Sequence, residues 1–367
     1  MKSYADIYVI DKSTFDQLGQ VSIYKGLVFP KSYVGSAKFE LYVPITEENK
    51  ELIKEGRWIY LDEELAGEIL KVNSLINDSG EKVLKVSGET LEWLLTTRII
   101  WDTYSANKRP DEIIMDIVDK NCVNPSDSNR IIPNLEIGQI DKSYALPKIS
   151  HQITGDEVYE DCKLLCETYG IGFGVKLNLK EKKVTLNILY GLDRSINQND
   201  RDYVVISSDM RDIVSSEYIN DIKDWKTTAL VAGEGEGNQR KRIVSGDNSL
   251  SGFDRREMYV DARDIQSEQI EGDVETALND RGLEKLSSKS IVKSFQFNLT
   301  PDKSSYVLGK DYFVGDIITV IDEEIGVKAD VMVSEVEYEW DGDKFAINVT
   351  YGMKRLGLLD KVKKMIK

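Results

Sequence analysis

The chain of 367 residues has one histidine, three cysteines and seven prolines. It also has no apolar run near the roughly 20 residues that cross a bilayer. Each shortage removes a class of function. With His151 alone, a histidine-based catalytic apparatus would rest on one residue, and no Gly-x-Ser-x-Gly elbow is present to supply a nucleophile. The cysteines, Cys122, Cys162 and Cys166, make an odd count without the dense spacing of a disulfide-stapled domain, which fits a reducing compartment. The N-terminus, Met1 to Asp6, lacks the apolar stretch and small-residue cleavage site of a signal peptide. The product is therefore expected to be made and kept in a cytoplasm until assembly or lysis. Positive charge is scarce as well: 48 Lys and Arg stand against 64 Asp and Glu, a net charge of −16. A general nucleic-acid binder needs a basic face to displace counterions, so this balance excludes one. The acidity reads either as solubility or as a surface that DNA passes without sticking.

What is present is ordinary globular material, 41% hydrophobic and 31% charged, in a length that suits two or three domains. Residues 1–105 read as strands with turns between them. Asp6 to Ile10 and Ala37 to Val43 alternate apolar and polar residues at period two. Trp58 to Leu61 and Gly67 to Val72 form a further pair, and a turn over Asn77 to Gly80 precedes Lys82 to Gly88. Glu89 to Thr97 predicts a short helix with Leu91, Leu94 and Leu95 on one face. Residues 106–205 read as α+β. Pro110 with Asp111 and Glu112 opens a helix striped by Ile113, Ile114, Ile117 and Val118. A second helix starts near Thr154 to Glu157, carries Val158, Cys162, Leu165 and Cys166 at helical spacing, and ends at Tyr169-Gly170. Phe173 to Leu177 and Val184 to Leu189 alternate as a hairpin around Lys180 to Lys183.

Residues 206–355 return to strands, with an inserted amphipathic helix at about 273–288 whose inner face is Val274, Ala277, Leu278 and Leu286. Alternation slips by a residue between Val333 and Val336, as at a bulge. Residues 356–367 predict a short basic helix, either a solvated terminus or a docking segment for an acidic neighbour. The fold class expected is α+β and β-rich: two small β-barrel-like domains flanking, and packed with, an α+β insert.

Candidate chemistry is thin. His151 follows Ser150, but adjacency in sequence does not put a hydroxyl on an imidazole, and a surface or turn histidine is the ordinary reading. Cys162 and Cys166, at i and i+4, could offer two thiolates to zinc, with Cys122 and His151 as the only further candidates. Their apolar neighbours favour core residues instead. The run Gly233-Glu234-Gly235-Glu236-Gly237 has neither G-x-G-x-x-G spacing nor a P-loop lysine, and its glutamates would repel phosphate; it reads as a tight loop between strands. No spacing singles out a glycosidase carboxylate pair or a calcium loop. Asp341-Gly342-Asp343 reads as a hairpin turn. No catalytic, cofactor-binding or metal residue is assigned.

Several segments, taken in order, resemble a known family. They are Val34 to Leu41, Ile53 to Ile59, Gly67-Glu68-Ile69, Lys85 to Arg98 with its Gly88-Glu89-Thr90-Leu91-Glu92-Trp93 centre, Val231 to Gly237 leading to Arg240, Arg256 to Asp264, and Leu283 to Leu286. Together they look like the phage tail hub proteins typified by the Gp37-like siphovirus proteins, which are similar in architecture to the baseplate hub of contractile tails. The resemblance implies a homotrimer in which each subunit contributes two similar β domains, so that three copies make a pseudo-sixfold ring. Such a ring joins the tail tube or distal tail protein to a tip, spike or fibre protein. The tape-measure protein is a further partner, and DNA is one only in passage. The resemblance supplies no catalytic residues. It implies a non-enzymatic component of a virion tail or phage-tail-like particle, assembled in the host cytoplasm. The competing readings are a tail-associated cell-wall-degrading enzyme, which would need a cleft with two aligned carboxylates, and a receptor-binding adhesin using aromatic loops such as Trp101 to Tyr104.

Overall fold

A computed structural model describes residues 4–76, 80–207, 213–268, 270, 272–299, 305–324, 326–342 and 344–352. The predicted helix over 356–367, the turn residues 77–79 and Asp343 lie outside them. The protein is β-rich and α+β, as its alternating segments imply. Among the described residues no helix is long and apolar enough to cross a membrane.

The first region supplies strands Ile7–Ile10, Gln17–Val21, Gly26–Ser32, Lys38–Pro44, Trp58–Tyr60, Ala66–Ile76 and Lys82–Thr90. Lys38–Pro44 shows why period two makes a strand here: Phe39, Leu41 and Val43 are fully buried while Lys38 faces water. Between strands sits α1 (Glu47–Leu52), which the periodicity did not announce. Thr46 caps it by accepting a hydrogen bond from the Asn49 amide, and six residues are too few for a helical stripe to register. The segment after Thr90 is a 3-10 helix, Leu91–Thr97, with Leu91 and Leu95 buried and Leu94 half-buried.

In the middle region α2 (Pro110–Val118) buries Ile113, Ile114, Ile117 and Val118, and α3 (Val158–Tyr169) buries Val158, Cys162, Leu165 and Cys166. Gly170, at φ 69°, stops α3 in the left-handed conformation that glycine adopts without strain. The hairpin Ile171–Asn178 with Lys183–Tyr190 follows in continuous antiparallel register. Strand Ile149–Ile153, which carries His151, pairs with Tyr104–Lys108.

The third region is joined to the first by hydrogen bonds between strands. Strand Val327–Asp341 pairs on one side with Lys344–Gly352 and on the other with Gly26–Ser32, Trp340 opposite Leu27 and Tyr338 opposite Phe29. The register shifts between Val333 and Glu335, at the predicted bulge. One sheet of 13 strands thus contains strands from both ends of the chain. Phe29, Phe39, Phe295, Tyr312 and Tyr351 pack in the core beneath it. The middle region has a separate core built around α2, α3 and their hairpin.

The insertion in the third region is larger than the predicted helix. Strands Thr228–Ala232, Arg242–Gly246 and Glu257–Asp261 make their own three-stranded sheet, with Thr228–Ala232 central. It packs on α4 (Val274–Ser287) around a small core of Ala229, Val231, Val260, Ala277 and Leu278. Asp273 caps α4 by accepting from the Thr276 amide at 2.8 Å. Of the predicted inner face, Ala277 and Leu278 are buried, and Val274 and Leu286 pack half-buried at its margin.

Candidate functional site

The sequence candidates do not converge on an exposed reactive centre. Cys122, Cys162 and Cys166 are free thiols buried in the middle core. Burial pushes Cys122 up to about 12 and raises Cys162 and Cys166 well above the ordinary thiol value, so at neutral pH all three are small apolar groups. Among the described residues no three His, Cys, Asp or Glu side chains could together hold a metal ion. A surface groove of about 490 Å³ opens between Lys108, Glu112, Asp116 and residues 137–140. Lys108 and Asp116 form an ion pair of 2.6 Å at its rim.

His151 is neither on the surface nor in a turn: it is 2% exposed, inside a strand, and it sits in a cluster of buried charge. Its Nε2 lies 3.1 Å from Asp161 Oδ2 on α3, and its Nδ1 lies 3.4 Å from Glu284 Oε1 on α4. Burial opposes a charge on the ring, but the two carboxylates outweigh it and raise His151 to about 10, so the ring is an imidazolium at neutral pH. Burial likewise opposes charge on Asp161, and the imidazolium holds its carboxyl below the usual range.

Arg281, one turn before Glu284, adds a second buried cation. It donates to Asp264 Oδ2 at 3.0 Å and to the Gln152 carbonyl, next to His151 in sequence. Glu284 accepts no aligned hydrogen bond among the described residues. It is held by His151, whose Nδ1 is 3.4 Å away, and by Arg281 Nε at 3.9 Å. Asp280 accepts from the Ser150 amide, and Thr168 on α3 meets Ser287 on α4 at 2.8 Å. The cluster fastens α4 to the middle region. His151, Asp161, Arg281 and Glu284 are buried within it, and Asp264 is partly exposed at its edge.

The glycine run is an arginine cradle. Arg240 donates from Nε to the Gly233 carbonyl at 2.8 Å and from Nη2 to the Ala232 carbonyl and Asp261, while Nη1 reaches the Tyr259 hydroxyl at 2.7 Å. Gly235, at φ 103°, lies in a turn that lets the loop close around this guanidinium. Glu234 points away, accepting from Ser267. The run is the tight inter-strand loop that its composition implied.

One residue that the sequence did not mark ties all three regions together. Tyr33, just past strand Gly26–Ser32, is buried; its hydroxyl donates to the Leu189 carbonyl at 3.0 Å and accepts from the Gly191 amide at 2.9 Å. A Cβ at Gly172 would stand 2.1 Å from the Tyr33 carbonyl oxygen, and one at Gly315 would stand 2.2 Å from the Tyr33 ring. First, middle and third regions therefore meet at van der Waals distance on one ring. The aromatic loop divides: Tyr104 is buried, and Trp101 is half-exposed with the Arg130 guanidinium 4.3 Å above it.

Comparison with known proteins fits an assembly role. Residues 6–353 match the family described as Siphovirus ReqiPepy6 Gp37-like protein. None of the curated proteins matches. Among solved structures, the chain is similar to prophage tail protein gp18 from Listeria monocytogenes EGD-e, with TM-score 0.56, 12% identity, and 99% of this chain and 98% of that one covered. It is also similar to the 43 kDa tail protein of prophage MuSo2 from Shewanella oneidensis (TM-score 0.55, 14% identity, 94% and 98% covered). A tail protein from Neisseria meningitidis MC58 matches with TM-score 0.53, 11% identity, and 96% and 97% covered. At these identities the structures share the fold.

Proposed function

The chain belongs to the family of siphovirus ReqiPepy6 Gp37-like proteins and is a structural phage tail protein, and from that premise we propose that it is the tail's hub. In this reading three copies form a pseudo-sixfold ring between the tail tube or distal tail protein and a tip, spike or fibre protein. The observation that carries it is the shared sheet. Strands of the first region (1–105) and of the third (206–355) run side by side in one 13-stranded layer, with the middle region (106–205) attached outside it. Each copy then offers two strand-built halves in one hydrogen-bonded layer, and three copies offer six to a sixfold tube. Rings of this kind close through heterologous contacts repeated around the axis.

The role is non-enzymatic. Its only histidine is sealed between two carboxylates and is out of reach of any substrate. The net charge of −16 supports a lumen lined by carboxylates past which DNA and a tape-measure protein move without adhering. The protein would reside in the tail of a virion or phage-tail-like particle assembled in the bacterial cytoplasm. Native mass spectrometry with image averaging tests the reading. A species of three times the 41.7 kDa chain, seen as a ring, is expected; a single-copy particle at assembly concentrations removes it.

A further inference from the structure

The insertion in the third region, residues 222–291, is a body apart from the surface it lies on. Its core of Ala229, Val231, Val260, Ala277 and Leu278 takes no side chain from outside residues 229–286, and among the described residues no apolar cluster crosses from it to the middle region. The chain enters after Asp221 and leaves at Val292, and these two residues pair with each other where strands Ile213–Asp221 and Val292–Leu299 end. That antiparallel pair, at one edge of the 13-stranded sheet, is its neck. α4 lies on strand Ile149–Ile153 and on α3. Polar groups hold this seam: Glu284 meets His151, the Gln152 side chain donates to the Asp264 carbonyl, and Ser287 meets Thr168. Beneath α4 is a strand edge. Ile149–Ile153 pairs on one side with Tyr104–Lys108 and with no second strand. On its other side α4 stands in for a neighbouring strand: Asp280 accepts from the Ser150 amide at 3.2 Å, and Arg281 donates to the Gln152 carbonyl. The cover is imperfect, since both Glu284 oxygens and Gln152 Oε1 are buried without a hydrogen bond among the described residues.

We propose that the insertion is a hinged arm, which swings off the middle region as one body about its two-strand neck and in leaving bares the Ile149–Ile153 edge. A swing is easier than unfolding the arm in place. Unfolding would put its apolar core into water, whereas opening the seam exposes groups that water solvates well. Ion pairs that part regain hydration, which offsets much of the attraction lost. Acceptors buried without a partner in the closed form gain water in the open one. Hinge motion is absorbed by a few residues at the ends of elements, here the stretches 222–227 and 288–291 that flank the neck. The seam is matched in charge only while His151 stands in it. Asp161 and Tyr169 face it from α3, Asp280, Arg281, Glu284 and Lys285 from α4, and Asp264 from the loop before α4. Without the imidazolium, Asp161 on one wall and Glu284 on the other repel, and the arm is pushed outward. The edge it uncovers presents an unpaired amide and carbonyl, the template on which another strand pairs.

Amide hydrogen exchange on the full chain tests the swing. The Ser150 amide, freed when the arm lifts, is expected to exchange at least about 10-fold faster than that of Val231 on the arm's central strand. Thr168→Cys with Ser287→Cys bridges the seam where the two hydroxyls lie 2.8 Å apart, and the three native thiols are buried. Oxidising that pair is expected to slow Ser150 at least about 10-fold and to leave Val231 unchanged, and reduction should restore the first rate. In His151→Gln, Ser150 is expected to quicken at least about 10-fold while Val231 holds. Equal rates for Ser150 and Val231 in the wild type, or quickening of both in step in His151→Gln, would mean that the arm leaves only by unfolding. A disulfide that fails to slow Ser150 would mean that this amide opens without any swing. Each of these results overturns the proposal.

Discussion

Tyr33 and His151 show how single side chains hold distant parts of this chain. Replacing Tyr33 by Phe keeps the ring but leaves the Leu189 carbonyl and the Gly191 amide without their partner, which costs about 1–3 kcal/mol for buried groups. Urea unfolding should show that loss, and Gly172→Ala should cost more, because backbone as well as ring stands in the way. His151→Gln removes the cation from between Asp161 and Glu284 and should cost about 3–5 kcal/mol near pH 6, where it leaves two buried carboxylates with only Arg281, which also serves Asp264, and the more distant Lys285. The pH dependence has a definite sign. The folded ring titrates at about 10, above its ordinary 6.5. Its stabilisation is therefore complete below 6.5 and fades as the pH rises from there towards 10. Asp161 works in the other direction, since its lowered value makes its contribution fade in acid. Thermal melts across pH should show an alkaline decline in the wild type that His151→Gln lacks; an equal decline in both would assign it to other groups.

At the scale of elements, local signals were legible wherever one face of a helix or strand is buried. The stripe of α2, the Tyr169-Gly170 end of α3, the hairpin after it and the bulge near Val333 all follow from spacing and turn chemistry. The short α1 was not, because six residues span fewer than two turns. Nor was the ionic face of α4. Apolar periodicity marked Ala277 and Leu278, but Arg281 and Glu284 look like solvent-facing charges until the fold sets His151 against them. For the same reason the sequence favoured a surface position for His151: a lone histidine shows nothing of partners on two separate helices. The caps give a direct test at this scale. Asp273→Ala should destabilise the start of α4 by leaving the Thr276 amide unpaired, and should speed amide exchange in its first turn. Gly170→Ala, forced to φ near 69°, should cost about 1–2 kcal/mol.

At the scale of the whole molecule, much of the strand content was readable but the join between the first and third regions was not: Val331 to Trp340 reads as one more alternating segment, and Gly26–Ser32, with Leu27, Val28 and Phe29 in a row before Pro30, does not alternate and gave no strand signal. The ring carries its own prediction. Lysines substituted for the acids that imaging finds on its inner wall should retard DNA ejection, and an unchanged ejection rate would leave the acidity as solubility alone. The shared sheet also has a consequence for synthesis. Gly26–Ser32 must wait for a partner strand made much later in the same chain, so the nascent polypeptide carries an unpaired, apolar edge until Val327–Asp341 follows. Such non-local pairing slows folding and exposes surface to aggregation. Chaperone occupancy on stalled nascent chains should persist until Val327–Asp341 has emerged, and release before that point would mean that the first region closes unaided.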